Sequence, residues 1–362
     1  MNIELLTDKE AFAQGQIRAE GAYDGVASSE YAAIRGNVAI FDFSTHGQLK
    51  ISGDDHVAWT SKLVSRDLEF LNSETATFAL CLNEQADVLG IITLYKFDDA
   101  ILIETEPAER ELLIAWFTQH REEGIEIEDV GEQSLLLGLE GPAAFKVVQT
   151  LLDYEVSSIA FQGFVEVEYQ GEMLLLARTG YTGEYGYKLI APASIAPQLW
   201  NELHGQVQKL GGQQCGTEVL STTMLEVRQP IGGLETGAWS VISAGLGWLI
   251  DFNKAEDYIG KEAVLEQCSA PLSHRTVGFI VDVQAQIKIG ASIVLEDQII
   301  GSVLAITYSP TLKTQLGLAY NVEPFTVPDL TWYIQDEQGK LSRARSVSSP
   351  YIVPRSWKIK ML

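Results

Sequence analysis

A glycine-spaced segment, Arg178-Thr-Gly-Tyr-Thr-Gly-Glu184-Tyr-Gly186, limits the fold of this chain more than any other feature. It follows an apolar run at residues 173–177, so it reads as a loop leaving a strand. Three glycines within seven residues let the backbone approach a neighbour closely and adopt dihedrals closed to other residues. A carboxylate at Glu184, held beside such a loop, can accept two parallel N–H donors from a flat heterocycle such as a pterin. Its charge strengthens both bonds. A glycine-rich turn with a solvated Glu has the same pattern, so the neighbouring sequence has to decide between them.

That neighbouring sequence is rich in strands. Residues 38–51 alternate apolar and polar positions around a Gly turn. Residues 75–82, 89–97 and 100–104 read as three strands with short turns. Residues 133–140 form another, and residues 164–177 a hairpin turning at Gln170-Gly171. Helical periodicity appears at residues 54–68, 109–121, 143–152, 195–210 and 218–227, and a polar helical segment leads in within residues 7–35. From residue 276 onward, short strands recur with turns at Gly290, Gly301 and Gly339, as in a small antiparallel barrel. The 31 glycines against 11 prolines suit such a strand-rich α+β chain.

The charge narrows the partners. With 25 basic and 49 acidic residues the chain carries a net charge of −24, a field that repels nucleic acid and anionic lipid. It also repels any anionic small ligand, whose site would need local positive groups. Cys81, Cys215 and Cys268 are far apart and show no metal-site spacing, and the histidines show none either, so no metal is expected. Residues 1–10 lack the basic start and apolar run of a signal peptide, and no stretch is long and apolar enough to span a bilayer. The expectation is a cytoplasmic protein.

Taken together, several segments resemble the glycine cleavage T-protein (aminomethyltransferase) family. RTGYTGE-x-G matches its signature almost letter for letter. DFSTHGQLKISGDDH at 42–56, LEGPAAFKVVQTLL at 139–152, AGLGWLIDFNKAEDYIGKEAV at 244–264 and YSPTLKTQLGLAY at 308–320 follow in the family's order. The resemblance implies an α+β, three-domain ring with a central folate channel and a C-terminal antiparallel β-barrel. It places the folate-binding region over 1–270, with a subdomain at about 53–138, and the barrel over 276–360. It further implies tetrahydrofolate as co-substrate and a small one-carbon donor, with the lipoyl arm of H-protein as the typical one. The folate-binding residues would be Glu184, Tyr181, Tyr185 and Arg228. A relative that keeps folate binding and has lost the chemistry is the alternative.

Two departures bear on the chemistry. The family's N-x-x-G-G-I-x-D-D-L loop, one Asp of which is its proposed catalytic group, reads here as residues 83–92 with Gly90 and Ile91 in place of the two Asp residues. Nearby candidates are Asp87, which strand alternation puts on the face opposite Gly90, and His46, which stands where the family has Met and can act as a base near neutrality. Second, Met224 replaces a folate-contacting Arg. If the helix continued, Arg228 would lie one turn further along the same face and could restore the charge. Trp248 reads as core. Asp257 stands where the iron–sulfur-assembly folate proteins carry a Cys, which argues against that subfamily.

Overall fold

The computed structural model describes residues 28–235 and 240–361. The part of the expected polar helical segment before residue 28 lies outside the described residues. Its end is seen as helix α1 (Ser29–Gly36), whose N-terminus is capped by the Ser28 hydroxyl accepting from the Tyr31 N–H.

The alternating stretch at 38–51 becomes two strands in two different sheets. β1 (Ala39–Asp42) enters a six-stranded sheet with β7 (Ser134–Glu140), β8 (Phe164–Tyr169), β9 (Glu172–Ala177), β10 (Gly186–Pro192) and β11 (Gln213–Gln214), in the order β11-β1-β7-β10-β9-β8. β2 (Gly47–Gly53) enters a five-stranded sheet with β3 (Thr75–Leu82), β4 (Val88–Lys96), β5 (Ala100–Thr105) and β6 (Ile125–Asp129), in the order β3-β4-β5-β2-β6. The four residues between β1 and β2 thus cross from one sheet to the other.

Each sheet buries both faces, and strand alternation sorts its side chains. On β10, Tyr187, Leu189 and Ala191 pack outward against helices α4 (Ala144–Val148) and α5 (Ala196–Lys209). On β5, Ile101 and Ile103 pack outward with residues of α2 (His56–Leu63) and α3 (Arg110–Gln119). The inward faces of the two sheets share one core containing Phe41, Leu80, Tyr95, Leu102, Leu136 and Ile190. The N-terminal region is therefore layered helix, sheet, sheet, helix.

Helix α6 (Thr217–Val227) and helix α7 (Lys261–Ser269) lead to the closed barrel. Its strands are β12 (His274–Val281), β13 (Ser292–Leu295), β14 (Gln298–Ser309), β15 (Thr314–Val322), β16 (Thr331–Gln335) and β17 (Leu341–Val347), in the order β12-β15-β14-β13-β16-β17. All barrel pairings are antiparallel, and closure leaves no free sheet edge. Among the described residues no helix is long and apolar enough to cross a membrane.

Candidate functional site

The glycine-spaced loop connects β9 to β10 and needs its glycines. A Cβ on Gly186 would lie 2.6 Å from the Gly180 Cα, and Gly183 has φ +74°. Three buried carboxylates hold this loop. Glu140 accepts from the Tyr181 N–H at 2.8 Å and from the Thr182 hydroxyl at 2.7 Å. Burial pushes the Glu140 carboxyl up to about 7, against the lowering effect of those two hydrogen bonds.

Glu184 is the second, and its partners come from within the chain. Its Oε1 accepts from Arg35 Nη1 at 3.2 Å and from the Arg355 N–H at 3.1 Å. Its Oε2 accepts from the Ser356 N–H at 2.8 Å and the Ser356 hydroxyl at 2.7 Å. Four acceptor sites are thus spent on fastening the C-terminal segment and α1 to the loop. Arg35 also pairs with Glu226 at 2.8 Å and donates to the Thr182 and Thr223 carbonyls. Nothing in the sequence pattern singled out Arg35, because its partners lie 147 to 191 residues away.

The third carboxylate, Glu104, stands at the centre of the space between the sheets. Lys188 Nζ donates to its two oxygens at 2.6 and 2.7 Å and to the Tyr181 hydroxyl at 2.7 Å. Tyr95 and Tyr181 donate their hydroxyls to Glu104 at 2.7 and 3.1 Å, and His46 Nδ1 lies 2.9 Å from Glu104 Oε1. Glu104 is 2 % exposed and Lys188 1 %. Burial by itself would raise the Glu104 carboxyl, but the Lys188 ammonium and the His46 hydrogen bond hold it far below the usual range. Burial, and then the Glu104 charge, push both tyrosine hydroxyls well up.

Of the residues singled out from sequence, Tyr181 and His46 meet here. His46 is buried rather than solvated, its ring centroid 4.9 Å from that of Phe43. Lys188 and Glu104 were not foreseen. The signal available for Lys188 was a lone charge on the inward phase of the strand GYKLIAP, which only the sheet pairing turns into a contact.

Asp87 stays outside this centre. It closes the turn before β4, where Asn83 Nδ2 donates to its carboxylate at 2.9 Å. A bulge opposite Cys81 and Leu82 then resets the strand. Gly90 consequently faces α3, where a Cβ would lie 2.7 Å from Leu113 Cδ1, while Ile91 joins the inter-sheet core.

Arg228 does not continue the helix. It is the C-cap of α6, with φ 62° and ψ 33°, and the Gln229 N–H returns to the Met224 carbonyl at 2.9 Å. The helical-face relation of 224 to 228 expected from spacing is thereby lost. The Arg228 guanidinium instead pairs with Glu235 and donates to the Ala244 carbonyl at 3.1 Å. Burial disfavours its charge, but the Glu235 carboxylate more than compensates and raises the group.

Arg228 nevertheless lines a groove of about 1010 Å³ between the loop, the barrel and the C-terminal segment. Arg178 and Arg275 line it too, and neither has a carboxylate partner among the described residues. Tyr185 and Trp248 contribute aromatic walls. Trp248, read as core from sequence, is 51 % exposed there because it sits in the short helical turn Gly247–Leu249 beside the barrel, facing the open groove instead of a core cluster. Glu184 is the one acidic lining residue among the described residues, and its charge is already satisfied. In a chain of net charge −24 this is a locally basic, aromatic recess. Among the described residues, no three His, Cys, Asp or Glu side chains gather as a metal site would require.

Two layered sheets and a closed barrel meet at an arginine-walled groove, which defines the architecture of an α+β protein. The chain belongs to the glycine cleavage T-protein family. Residues 10–254 match the GCVT N-terminal domain, and residues 274–352 match the glycine cleavage T-protein C-terminal barrel domain. An aminomethyltransferase of Anoxybacillus flavithermus is 31 % identical over 325 residues, 89 % of each chain. One of Halalkalibacterium halodurans is 33 % identical over 293 residues, 80 % of each. The crystal structure of the glycine cleavage system aminomethyltransferase T from Bartonella henselae superposes with a TM-score of 0.82, covering 97 % of this chain and 98 % of that one, at 20 % identity. At that identity the likeness concerns the fold.

Proposed function

We propose that this protein is a tetrahydrofolate-dependent aminomethyltransferase, moving a one-carbon unit from a small donor onto tetrahydrofolate. The groove carries this reading. Arg178 and Arg275, without a carboxylate partner among the described residues, supply the positive groups that an anionic folate requires against the chain's acidic field, and the aromatic walls suit a flat ring system. Both halves of the chain align with the family's two domains, and relatives over most of its length are aminomethyltransferases.

In this proposal Arg178 and Arg275 meet the ligand's carboxylates, and Arg228 and Tyr185 form the wall between them and the loop. Tyr181 is buried on the inner side of the loop, with its hydroxyl on Glu104 in the inter-sheet centre, and supports the loop from behind the recess. Glu184 acts by fastening the C-terminal segment that closes one side of the groove. The donor proposed is the aminomethyl group on the lipoyl arm of H-protein, in the cytoplasm. Holding donor and acceptor together supplies a large part of the rate by proximity alone.

The test is a tetrahydrofolate titration followed by an assay of 5,10-methylenetetrahydrofolate formed from aminomethylated H-protein. Saturable binding with turnover is expected. Binding without turnover would point to a folate-binding relative that has lost the reaction, and no binding would defeat the folate reading itself.

A further inference from the structure

We propose that an exposed aromatic patch at one mouth of the groove is the docking surface for the protein that carries the one-carbon donor on its arm. The proposal rests on the transferase reading above and adds where, and by what chemistry, that carrier is held.

Three loops form the patch. Residues 66–74 present Phe70, 84 % exposed, and residues 160–163 present Phe161, 73 % exposed. Residues 247–252 present Trp248 and Phe252, each about half exposed. The first loop is tied to both of the others. On one side Arg66 pairs with Asp251 at 2.8 Å and donates to the Trp248 carbonyl at 3.0 Å, while the Asp67 N–H donates to Asp251 at 2.9 Å. On the other side the Phe164 N–H donates to the Glu74 carbonyl at 2.9 Å, and the Ala76 N–H to the Gln162 carbonyl at 2.6 Å. The rings are thus carried on a fixed backbone while their faces stay open to water.

On the order of 500 Å² of aromatic surface is open there, at roughly 200 Å² per side chain. That is near the top of what a lone soluble protein exposes in one patch, about 300–600 Å². It supplies much of the ~800 Å² that one side of a standard interface needs. Aromatic anchors on pre-organised backbone are also the groups that dominate binding energy at interfaces.

Two observations name the occupant. Phe161 and Trp248 line the groove, while Phe70 and Phe252 do not, so the patch runs out of the groove onto the surface. A body seated on it holds an arm at the mouth of the groove, whereas a freely diffusing donor needs no outer surface. The charge around the patch is the second observation. Lys96 Nζ is turned onto the Leu68 and Leu71 carbonyls at 2.7 and 2.6 Å, and Lys254 Nζ onto those of Val64 and Arg66 at 3.2 and 2.9 Å. Asp67, Glu69 and Asp98 act on the first lysine, and Asp67, Asp251 and Glu256 on the second, so the rim is acidic. Like charge disfavours a second copy of this chain, at a net −24, and favours a carrier whose apolar face is ringed by Lys or Arg.

Phe70→Ser and Phe252→Ser test this in the full-length protein, because both rings are exposed and neither lines the groove. Each variant should bind aminomethylated H-protein about tenfold or more weakly by titration calorimetry, and its KM for that substrate should rise in step at unchanged kcat. Tetrahydrofolate affinity, the melting midpoint and turnover of free aminomethyl-dihydrolipoamide, the arm without its carrier, should stay close to wild type. Glu69→Lys should weaken carrier binding and flatten its salt dependence. Wild-type H-protein affinity in both Phe variants would overturn the proposal. So would an equal loss with the free arm, which would put the effect in the groove. Wild-type dimerisation abolished by Phe70→Ser would overturn it too, making a second copy the occupant. A wild type that binds H-protein through the patch but turns over neither donor would defeat the transferase reading and leave the docking surface standing.

Discussion

The space between the two N-terminal sheets and the interior of the barrel are both closed to water, yet they are filled in opposite ways. The barrel core is Val277, Phe279, Ile293, Val303, Trp332, Ile334 and their neighbours, and no charged side chain of residues 274–352 is buried. The inter-sheet region buries Glu104, Lys188, His46 and Glu140, with Arg35, Glu184 and Glu226 close by. Apolar burial is favourable at about 25 cal/mol per Å², whereas each ion moved out of water costs several kcal/mol unless its partners are well placed. The barrel thus contributes stability and one groove wall, and the inter-sheet region holds a buried charge centre.

The comparison can be broken most severely at the inter-sheet centre, where Lys188→Met leaves the Glu104 carboxylate buried without its cation and should lower the unfolding free energy by about 3–5 kcal/mol, read in denaturant titrations. The next largest effect is near the glycine-spaced loop. Arg35→Met leaves Glu184 and Glu226 buried without their cation, and should lower the unfolding free energy by about 3–5 kcal/mol, measured by denaturant titration. Because Glu184 anchors Arg355 and Ser356, faster proteolysis of the C-terminal segment should accompany it. Ile334→Ala in the barrel should cost about 2–5 kcal/mol yet leave folate affinity unchanged for the folded fraction. A fall in affinity would mean that the barrel core shapes the site directly.

A smaller effect sharpens the electrostatic side. Burial raises the Glu140 carboxyl to about 7 in the folded state, above the ordinary glutamate value of about 4.5. The folded state therefore binds the proton more tightly than the unfolded chain. Stability from this group is full below the unfolded value and is lost as pH rises through about 7, by roughly 3 kcal/mol in all. Glu140→Gln should flatten that decline between about pH 4.5 and 7, which thermal melts across the range would show. The smallest change concerns the groove rim. Arg275→Ala should weaken folate binding about three- to tenfold and reduce its salt dependence, since an exposed guanidinium acts through a screened field.

Much of the architecture was legible in the order of residues. The strands at 75–82 and 164–177, the helices near 110–119 and 196–209, and the C-terminal barrel follow from periodicity and turn residues that act over a few positions. So did the importance of the glycine-spaced loop, whose close Gly180–Gly186 approach excludes other residues. The site was less legible. Glu184 looked like a ligand-facing carboxylate, and the tertiary structure gives its four acceptor sites to Arg35, Arg355 and Ser356. Arg228 looked like the next residue along a helical face, but a left-handed cap turns it towards Glu235. Nothing local distinguished the Glu in ILIET from a solvated one.

The sequence by itself determined the family, the element order, the need for glycine in the loop and an acidic surface that demands a basic recess for any anionic ligand. Only the tertiary structure decided which charges meet. Lys188 and Glu104 are 84 residues apart, and His46 and Glu104 are 58. Strand alternation sets which face each side chain takes, but two faces become neighbours only when separate sheets pack with one relative register. That packing is a property of the whole core, so the charge centre it creates has no short-range signature.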